Sequence, residues 1–574
     1  MNSQRKLAIE SLEDRIVMTT GLSAMLGPFE LSSLRNSAYE SFFNPVQLNG
    51  NTLEIDGSGS GDYITVKNED GMVKVRRLAN AGSYILMDME GNPVNATTYE
   101  FDPDDVDEIF IEGFAGNDTI KNLTSIESTI KGGSGNDYLR GGSDDDVING
   151  GGGNDRIYGQ RGDDDIDGGS GNDRIYGSYG DDVIDGGSGA DRIYSSSGDD
   201  VVDGGSGNDT IYTYSGNDVV DGGSGRDRIY AGSGDDVVRG GSGSDRLYGN
   251  GGEDQLFAGT GSDTLSGGSG KDILISLDNS GGDQMTGNSG NDVFWGDSND
   301  TVTDSNSHEN KYAKHLIDSF DNDADKSLNG DTINPDGSLF DSDDVFSDFG
   351  SFPLFSEAGP QRSDIDQGGT GDCWLMAGIG TIAHDNPERI QDSIVDFGDG
   401  TYGVNLGDEY FRVDGQLAVG SSGSLKYAGL GDDNSLWAAV VEKAWSEYRT
   451  NWGWGLNAGW TTSVWKAFDG TGTDKEWFGW FSDGDDVLNH INDALTDGKV
   501  ATILTQFWGD LESDQLVTLH YYMVDSVNMS ARTVNLVNPH GSGSSNYEIT
   551  ICADDLYEDI SYALGFGGVQ TATI

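Results

Sequence analysis

Cysteine, basic residues and long apolar runs are all scarce in this chain. Cys373 and Cys552 are the two cysteines in 574 residues, so a disulfide framework cannot carry the fold, and thiol content identifies no redox compartment. No run of 18 apolar residues occurs, which excludes an ordinary membrane-spanning helix. Lys and Arg number 33 against 99 Asp and Glu. The resulting net charge of -66 repels nucleic acid and anionic membrane surfaces, and it opposes compaction unless cations neutralise it. Ca²⁺ is the cation expected. Histidine is also rare, with six copies to serve any chemistry that needs an imidazole.

Glycine is abundant instead, with 88 copies, while hydrophobic residues make up 34%. The length implies three or four units, with acid and glycine concentrated in one of them. From Gly132 to Ile275 a nine-residue unit, Gly-Gly-x-Gly-x-Asp-x-aliphatic-x, recurs sixteen times without a slip. The sixth position is always aspartate: Asp137, Asp146, Asp155, Asp164, Asp173, Asp182, Asp191, Asp200, Asp209, Asp218, Asp227, Asp236, Asp245, Asp254, Asp263 and Asp272. Two positions later stands Ile, Val or Leu. This pattern resembles the RTX calcium-binding repeat. The resemblance implies a parallel β-roll in which glycine turns gather carbonyls and these carboxylates as ligands for multiple Ca²⁺ ions.

A second period, of eighteen, overlies the first and makes one turn of such a roll. It predicts a ladder of Tyr158, Tyr176, Tyr194, Tyr212, Tyr230 and Tyr248 on one side, with Asp167, Asp185, Asp203 and Asp221 on the other. The tyrosines serve either as stacking between equivalent turns or as a docking face.

Before the repeats, residues 1–25 are too interrupted by charge for a Sec-type leader; Ser11–Thr19 resembles a short motif on exported bacterial proteins, the alternative being a short amphipathic helix. Residues 46–112 alternate in short runs that predict a β-rich cap, followed by a roll over 113–295. The register dissolves into an acidic linker over 296–335, where Asp321–Asp325 opens like an EF-hand loop. Lys326 and Thr332 then replace the turn glycine and the bidentate glutamate.

Composition reverses in the remainder, 336–574, which holds ten of the eleven tryptophans and therefore predicts a large core. Within it, Gln367-Gly368-Gly369-Thr370-Gly371-Asp372-Cys373-Trp374 precedes a small-residue apolar run that ends before Pro387. That run predicts a helix with Cys373 at its N-terminus. There the helix dipole lowers a thiol from its ordinary pKa of about 8.5 and favours the nucleophilic thiolate. Gln367 can bring an N–H donor to a developing oxyanion. The alternative is a buried structural cysteine.

The octapeptide, with Asp364-Ile365-Asp366 before it and Ser435–Trp445 after it, resembles the calpain family of papain-like cysteine peptidases. For the imidazole, His520 lies in the β-rich run 516–524, and a hairpin centred on Met529 pairs it with Asn538. The resemblance independently implies a histidine on such a strand and an asparagine in an Asn-Pro-Trp context. Here the context is Asn538-Pro539-His540, so the tryptophan is replaced and His540 becomes a rival base.

The expected architecture is multidomain: a β-cap and parallel β-roll, then a papain-like α+β peptidase domain. The expected function is calcium-dependent cysteine endoproteolysis of polypeptide substrates, with Cys373, His520, Asn538 and Gln367 at the site, outside the cell or at a bacterial envelope. The alternative is a secreted surface or toxin-like RTX protein whose peptidase-like domain is inactive or narrowly specific.

Overall fold

The computed structural model describes residues 45–79, 93, 96–278, 280–320, 345–349, 351–356, 359–365, 373–407, 409–419, 425, 428, 430, 435–450, 464–465, 467–468, 484–497, 499–504, 516, 520–539, 548–561 and 568–572. They fall into two compact units, one formed by the repeats with the segment before them, the other chiefly by residues from Ser305 onward together with Val293–Asn299. No helix among the described residues is long and apolar enough to cross a membrane. Residues 1–25, Asp321–Asp325, Trp452, Trp454 and Trp460 lie outside the described set.

In the first unit the period of eighteen is the turn of a parallel β-roll. Ile157 pairs with Ile175 and Tyr158 with Tyr176 in one sheet, Ile166 with Ile184 and Asp167 with Asp185 in the other. The eighth-position aliphatics, such as Leu139, Ile148, Ile157 and Ile166, are fully buried between the sheets. Their alternation with outward side chains is what a two-sheet core requires. Fourth-position glycines make the corners: Gly153 and Gly171 have φ of 132° and 136°, and a Cβ there would strike the carbonyl of the preceding turn.

Where the repeat replaces its second glycine, Gln160, Ser178 and Tyr214 still adopt φ of 101°, 100° and 72°. Each such residue stores local strain on the order of 1 kcal/mol. The expected tyrosine ladder is present. Tyr158, Tyr176, Tyr194, Tyr212, Tyr230 and Tyr248 stack with ring centroids 4.7–5.3 Å apart and planes within 8°.

The β-rich segment before the repeats begins the same two sheets. Thr52–Ser58 runs parallel to Glu108–Phe114, and Tyr63–Glu69 runs parallel to Thr119–Leu123. On their other edges the first strands form antiparallel pairs, Thr52–Ser58 with Val46–Asn49 and Tyr63–Glu69 with Met72–Leu78.

The second unit is built on helices and antiparallel sheet. Strand Tyr521–Asn528 lies inside a five-stranded sheet between Thr533–Val537 and Val500–Leu504, with Glu548–Cys552 and Gly568–Ala572 at the edges. One face, through Leu504, Tyr521, Met523 and Val537, shares a core with helices Cys373–Asp385 and Trp437–Thr450. The other, through Ile503, Tyr522, Val524 and Leu536, packs with helices Gly484–Thr496 and Ala553–Ser561. Period-two alternation along the strands therefore sorts side chains between two cores. Trp374, Trp437, Trp445 and Trp465 are buried, as the tryptophan count implies.

Part of the stretch expected as linker belongs to this unit. Val293–Asp297 pairs with Lys314–Ile317, and the turn Glu309–Ala313 precedes the second strand. His315 is buried against the Trp295 ring at 4.5 Å. Its Nε2 donates to the Asp392 carbonyl at 2.7 Å, while Nδ1 accepts from the Asn405 amide at 3.1 Å. That arrangement needs a neutral ring, and burial pulls His315 down from 6.5 to about 4.

A base depressed in this way contributes stability that is complete above its unfolded value and is lost as pH falls toward the folded one. Acidifying from pH 7 to 4 should therefore cost the unit roughly 3 kcal/mol at most through this residue. Tryptophan-detected urea unfolding in saturating Ca²⁺ should reveal the slope, and His315→Gln should flatten it.

Candidate functional site

Cys373 is the first residue of the helix Cys373–Asp385 and is buried. The small residues that follow let this helix approach its neighbours closely. A Cβ on Gly378 would lie 2.8 Å from Val464 Cβ, and Gly380 faces the Met523 sulfur. Alanine is the better helix former by about 1 kcal/mol, but overpacking a stiff valine costs about 1–3 kcal/mol. Gly378→Ala should therefore lower the urea midpoint of this unit rather than raise it.

His520 immediately precedes strand Tyr521–Asn528, and Asn538 immediately follows Thr533–Val537, so both stand at one end of the sheet. His520 Nε2 and Asn538 Oδ1 are 3.0 Å apart, and each residue is 5% exposed. The Tyr522 ring meets the imidazole edge-on at 4.8 Å.

The hairpin register differs from the one expected. Met523 pairs with Val537, the register shifts between Val524 and Ser526, and residues 529–532 form the turn. Continued by one residue, this register sets Tyr522 rather than His520 opposite Asn538. The slip amounts to two residues. A slip of two preserves side-chain parity, so the pair remains within diagonal reach, whereas a slip of one would have sent the partners to opposite faces.

Tyr521 and Val537, the chain neighbours of His520 and Asn538, occupy the same buried cluster as Cys373. The structure thus brings the cysteine helix and the His–Asn strand ends to one core. Gln367 and His540 lie outside the described residues. His384 is half-exposed near the far end of the nucleophile's helix, about 16 Å along its axis from Cys373. His308 bonds Asp392 at 2.8 Å, and His315 is fixed as described above. His490 sits on helix Gly484–Thr496. Cys552 ends strand Glu548–Cys552 and is only partly buried.

Two long-range tethers have no local signal in the sequence. Arg362 binds Asp525 at 2.8 Å, linking the segment before the nucleophile loop to the strand that follows His520. Asp364 accepts both the Trp437 indole N–H and the Gln361 backbone N–H at 2.8 Å, and it is buried. The acidic run before the glycine loop was visible in the sequence. Its indole partner, 73 residues away, was not.

The repeat aspartates form two interleaved ladders. Oδ1 accepts the backbone N–H of the aspartate one turn earlier, as in Asp137 to Asp155 at 2.6 Å and Asp164 to Asp182 at 3.0 Å, whereas Asp146 Oδ1 accepts from Ser128. The first ladder starts earlier than the repeat, since Asp118 donates its N–H to Asp137. Oδ2 of Asp137, Asp155, Asp164, Asp173 and Asp182 is buried without a hydrogen-bond partner. Burial pushes Asp137, Asp173 and Asp182 up to about 7 and Asp164 to about 8.

First-position glycines line these oxygens. A Cβ on Gly132 would stand 2.5 Å from Asp137 Oδ2 and 2.6 Å from the Gly150 carbonyl. Among the described residues no three His, Cys, Asp or Glu side chains converge on a metal-sized site. A cation held here therefore combines these carboxylates with backbone carbonyls, a donor set that fits Ca²⁺. Asp146 departs from the pattern, because its Oδ2 accepts the Gly142 N–H at 2.5 Å.

Comparison with known proteins agrees with both halves. Residues 346–548 match the calpain family cysteine protease model, and overlapping segments between 129 and 303 match the RTX calcium-binding nonapeptide repeat. The calpain-1 catalytic subunit of Bos taurus is 29% identical over 210 residues, that of Mus musculus 30% over 212, and the calpain-2 catalytic subunit of Gallus gallus 27% over 213. Each match covers 33% of this chain and 29–30% of the relative, so the chain spans less than a third of the length of these curated relatives. The chain carries a calpain-family cysteine protease domain at 346–548, preceded by RTX calcium-binding repeats wound into a parallel β-roll.

Proposed function

We propose that this chain is a calcium-dependent cysteine endopeptidase carried on a calcium-loaded roll and acting outside the cell or at a bacterial envelope. The observation that carries the reading is the buried His520–Asn538 bond at strand ends whose neighbours share a core with the cysteine-headed helix. Cys373 is the nucleophile. With Nε2–H donated to Asn538, proton exchange falls to His520 Nδ1, which takes the thiol proton. The thiolate attacks the peptide carbonyl carbon, and the oxyanion is held by the Cys373 backbone N–H and the Gln367 carboxamide. The imidazolium then protonates the departing amine, leaving a thioester. Water, deprotonated by the same imidazole, attacks the thioester, and the carboxylic product leaves with the thiol restored.

Sixth-position aspartates such as Asp137, Asp155, Asp164 and Asp173 would hold Ca²⁺ in the roll, where the ion supplies the positive charge that the buried carboxylates lack. The test is turnover of an unfolded protein substrate by the purified chain in millimolar Ca²⁺ and in chelator. Cleavage in the first and none in the second is expected. A folded, Ca²⁺-saturated sample that leaves every unfolded substrate intact would overturn the reading.

A further inference from the structure

The roll turns chemically opposite faces to solvent. On one sheet Arg156, Arg174, Arg192, Arg228 and Arg246 project beside the tyrosine stack, two residues before it in each strand. No ion pair to any of these five arginines occurs among the described residues, although acids outnumber bases 99 to 33 in the chain. On the other sheet Asp185, Asp203 and Asp221 are exposed beside Val183, Val201 and Val219, whose exposures are 51%, 48% and 40%. The valines again precede the aspartates by two. Both faces repeat every eighteen residues, so their rungs have the same spacing, about 4.8 Å.

Direction matters as much as spacing. The chain re-enters each sheet running the same way after every turn, so its intervening pass through the opposite sheet runs in reverse. If one roll is translated without rotation onto the next, the strands that meet are antiparallel. Arginine, first in its strand, then falls opposite aspartate, last in its strand, and tyrosine falls opposite valine. Charge and apolarity are matched together. Although Asp203 is exposed, partial desolvation and the neighbouring Asp185 and Asp221 charges push its carboxyl upward against the Gly205 N–H bond, so cationic neighbours would relieve that row.

We propose that these two faces are complementary halves of a contact between copies of this chain, the arginine–tyrosine face of one roll seating on the aspartate–valine face of the next. A flat sugar or base is a poorer occupant of the tyrosine row, because the ring faces are already used in stacking within 8° of parallel. Because the two halves are different surfaces, the contact is head-to-tail and leaves an unfilled face at each end, so it propagates rather than closing as a dimer. Three matched rungs about 5 Å apart and two side chains wide cover about 200 Å² per copy. That is below the area of a stable pairwise interface, so single contacts are weak and salt-sensitive.

The test uses the full chain alone in millimolar Ca²⁺ at low salt, followed by light scattering across micromolar to millimolar concentration. Wild type should grow into open-ended oligomers that dissociate in high salt. Arg174→Glu/Arg192→Glu/Arg228→Glu makes both faces acidic, and Asp185→Arg/Asp203→Arg/Asp221→Arg makes both basic. Each variant alone should associate at least tenfold more weakly than wild type, and mixing the two should restore association. Neutral versions, with Gln for Arg and Asn for Asp, report the same loss if a charge reversal disturbs the Ca²⁺-dependent circular dichroism. A wild-type chain that stays monomeric at every concentration overturns the proposal, as does association that survives both variants.

Discussion

Replacing Cys373 by serine is expected to cut peptide-bond cleavage by about 10⁴-fold or more, with the Ca²⁺-bound circular dichroism unchanged. The change is a single atom, but it removes the group that ionises near neutral pH and substitutes a hydroxyl that does not. His520→Ala should cost a comparable factor, since no other histidine among the described residues combines a buried asparagine partner with a place beside the cysteine's core. The double variant should be no worse than either single one, because the two residues act as a unit. Asn538→Ala should fall less, roughly 10- to 100-fold, since it orients the ring without touching substrate. Its loss should appear in kcat and in the pH profile more than in KM. Alkylation by iodoacetamide offers a second readout. Cys373 should react fastest where His520 holds the thiolate, and that advantage over Cys552 should disappear in His520→Ala. Retained cleavage by Cys373→Ser would sink the assignment of the nucleophile.

How much of this was legible in the sequence depended on whether the physical constraint was local. The roll was legible because each turn imposes the same demands. Glycine is required at corners with positive φ, an aliphatic must enter the core, and an aspartate must meet the backbone of the adjacent turn, so the demands recur at nine and eighteen. The cysteine at a helix start was legible for the same reason, since the apolar run and its glycines are contiguous. The His520–Asn538 pair was found through a register that proved to be off by two. A four-residue turn and a shift at Val524–Ser526 moved the hairpin, and only parity kept the partners together.

Long-range pairings were not legible. His308 and His315 stand in a polar stretch that reads as linker, and nothing near them announces Asp392, 84 and 77 residues away. The aspartate ladder extends back through Asp118 to Asp62, the latter 56 residues earlier and outside the expected roll.

Removing Ca²⁺ at neutral pH is expected to abolish the β-sheet signal and the near-ultraviolet tyrosine signal of the roll. An unfolded aspartate titrates near 3.8, whereas burial holds Asp137, Asp173, Asp182 and Asp209 at about 7 in the metal-free fold. Between those values the folded chain binds more protons than the unfolded chain. Metal-free stability is therefore greatest below about pH 4 and is lost as pH rises through 7. One carboxyl shifted by about three units contributes roughly 4 kcal/mol of that loss, comparable with the whole stability of a marginal domain. Several act along the same stack, so a chelated roll at pH 7.5 should not remain folded. Ca²⁺ that binds the folded state in preference to the unfolded one would reverse the balance by mass action. Acid and Ca²⁺ should consequently substitute for one another. A chelated sample brought from pH 7.5 to 4.5 should regain β-signal, and Asp→Asn changes at the central rungs Asp173, Asp182 and Asp191 should make the roll less dependent on either. Circular dichroism across pH with and without chelator measures both effects. An undiminished β-signal in chelator at pH 7.5 would mean that the unpartnered Oδ2 atoms are not the source of the calcium requirement.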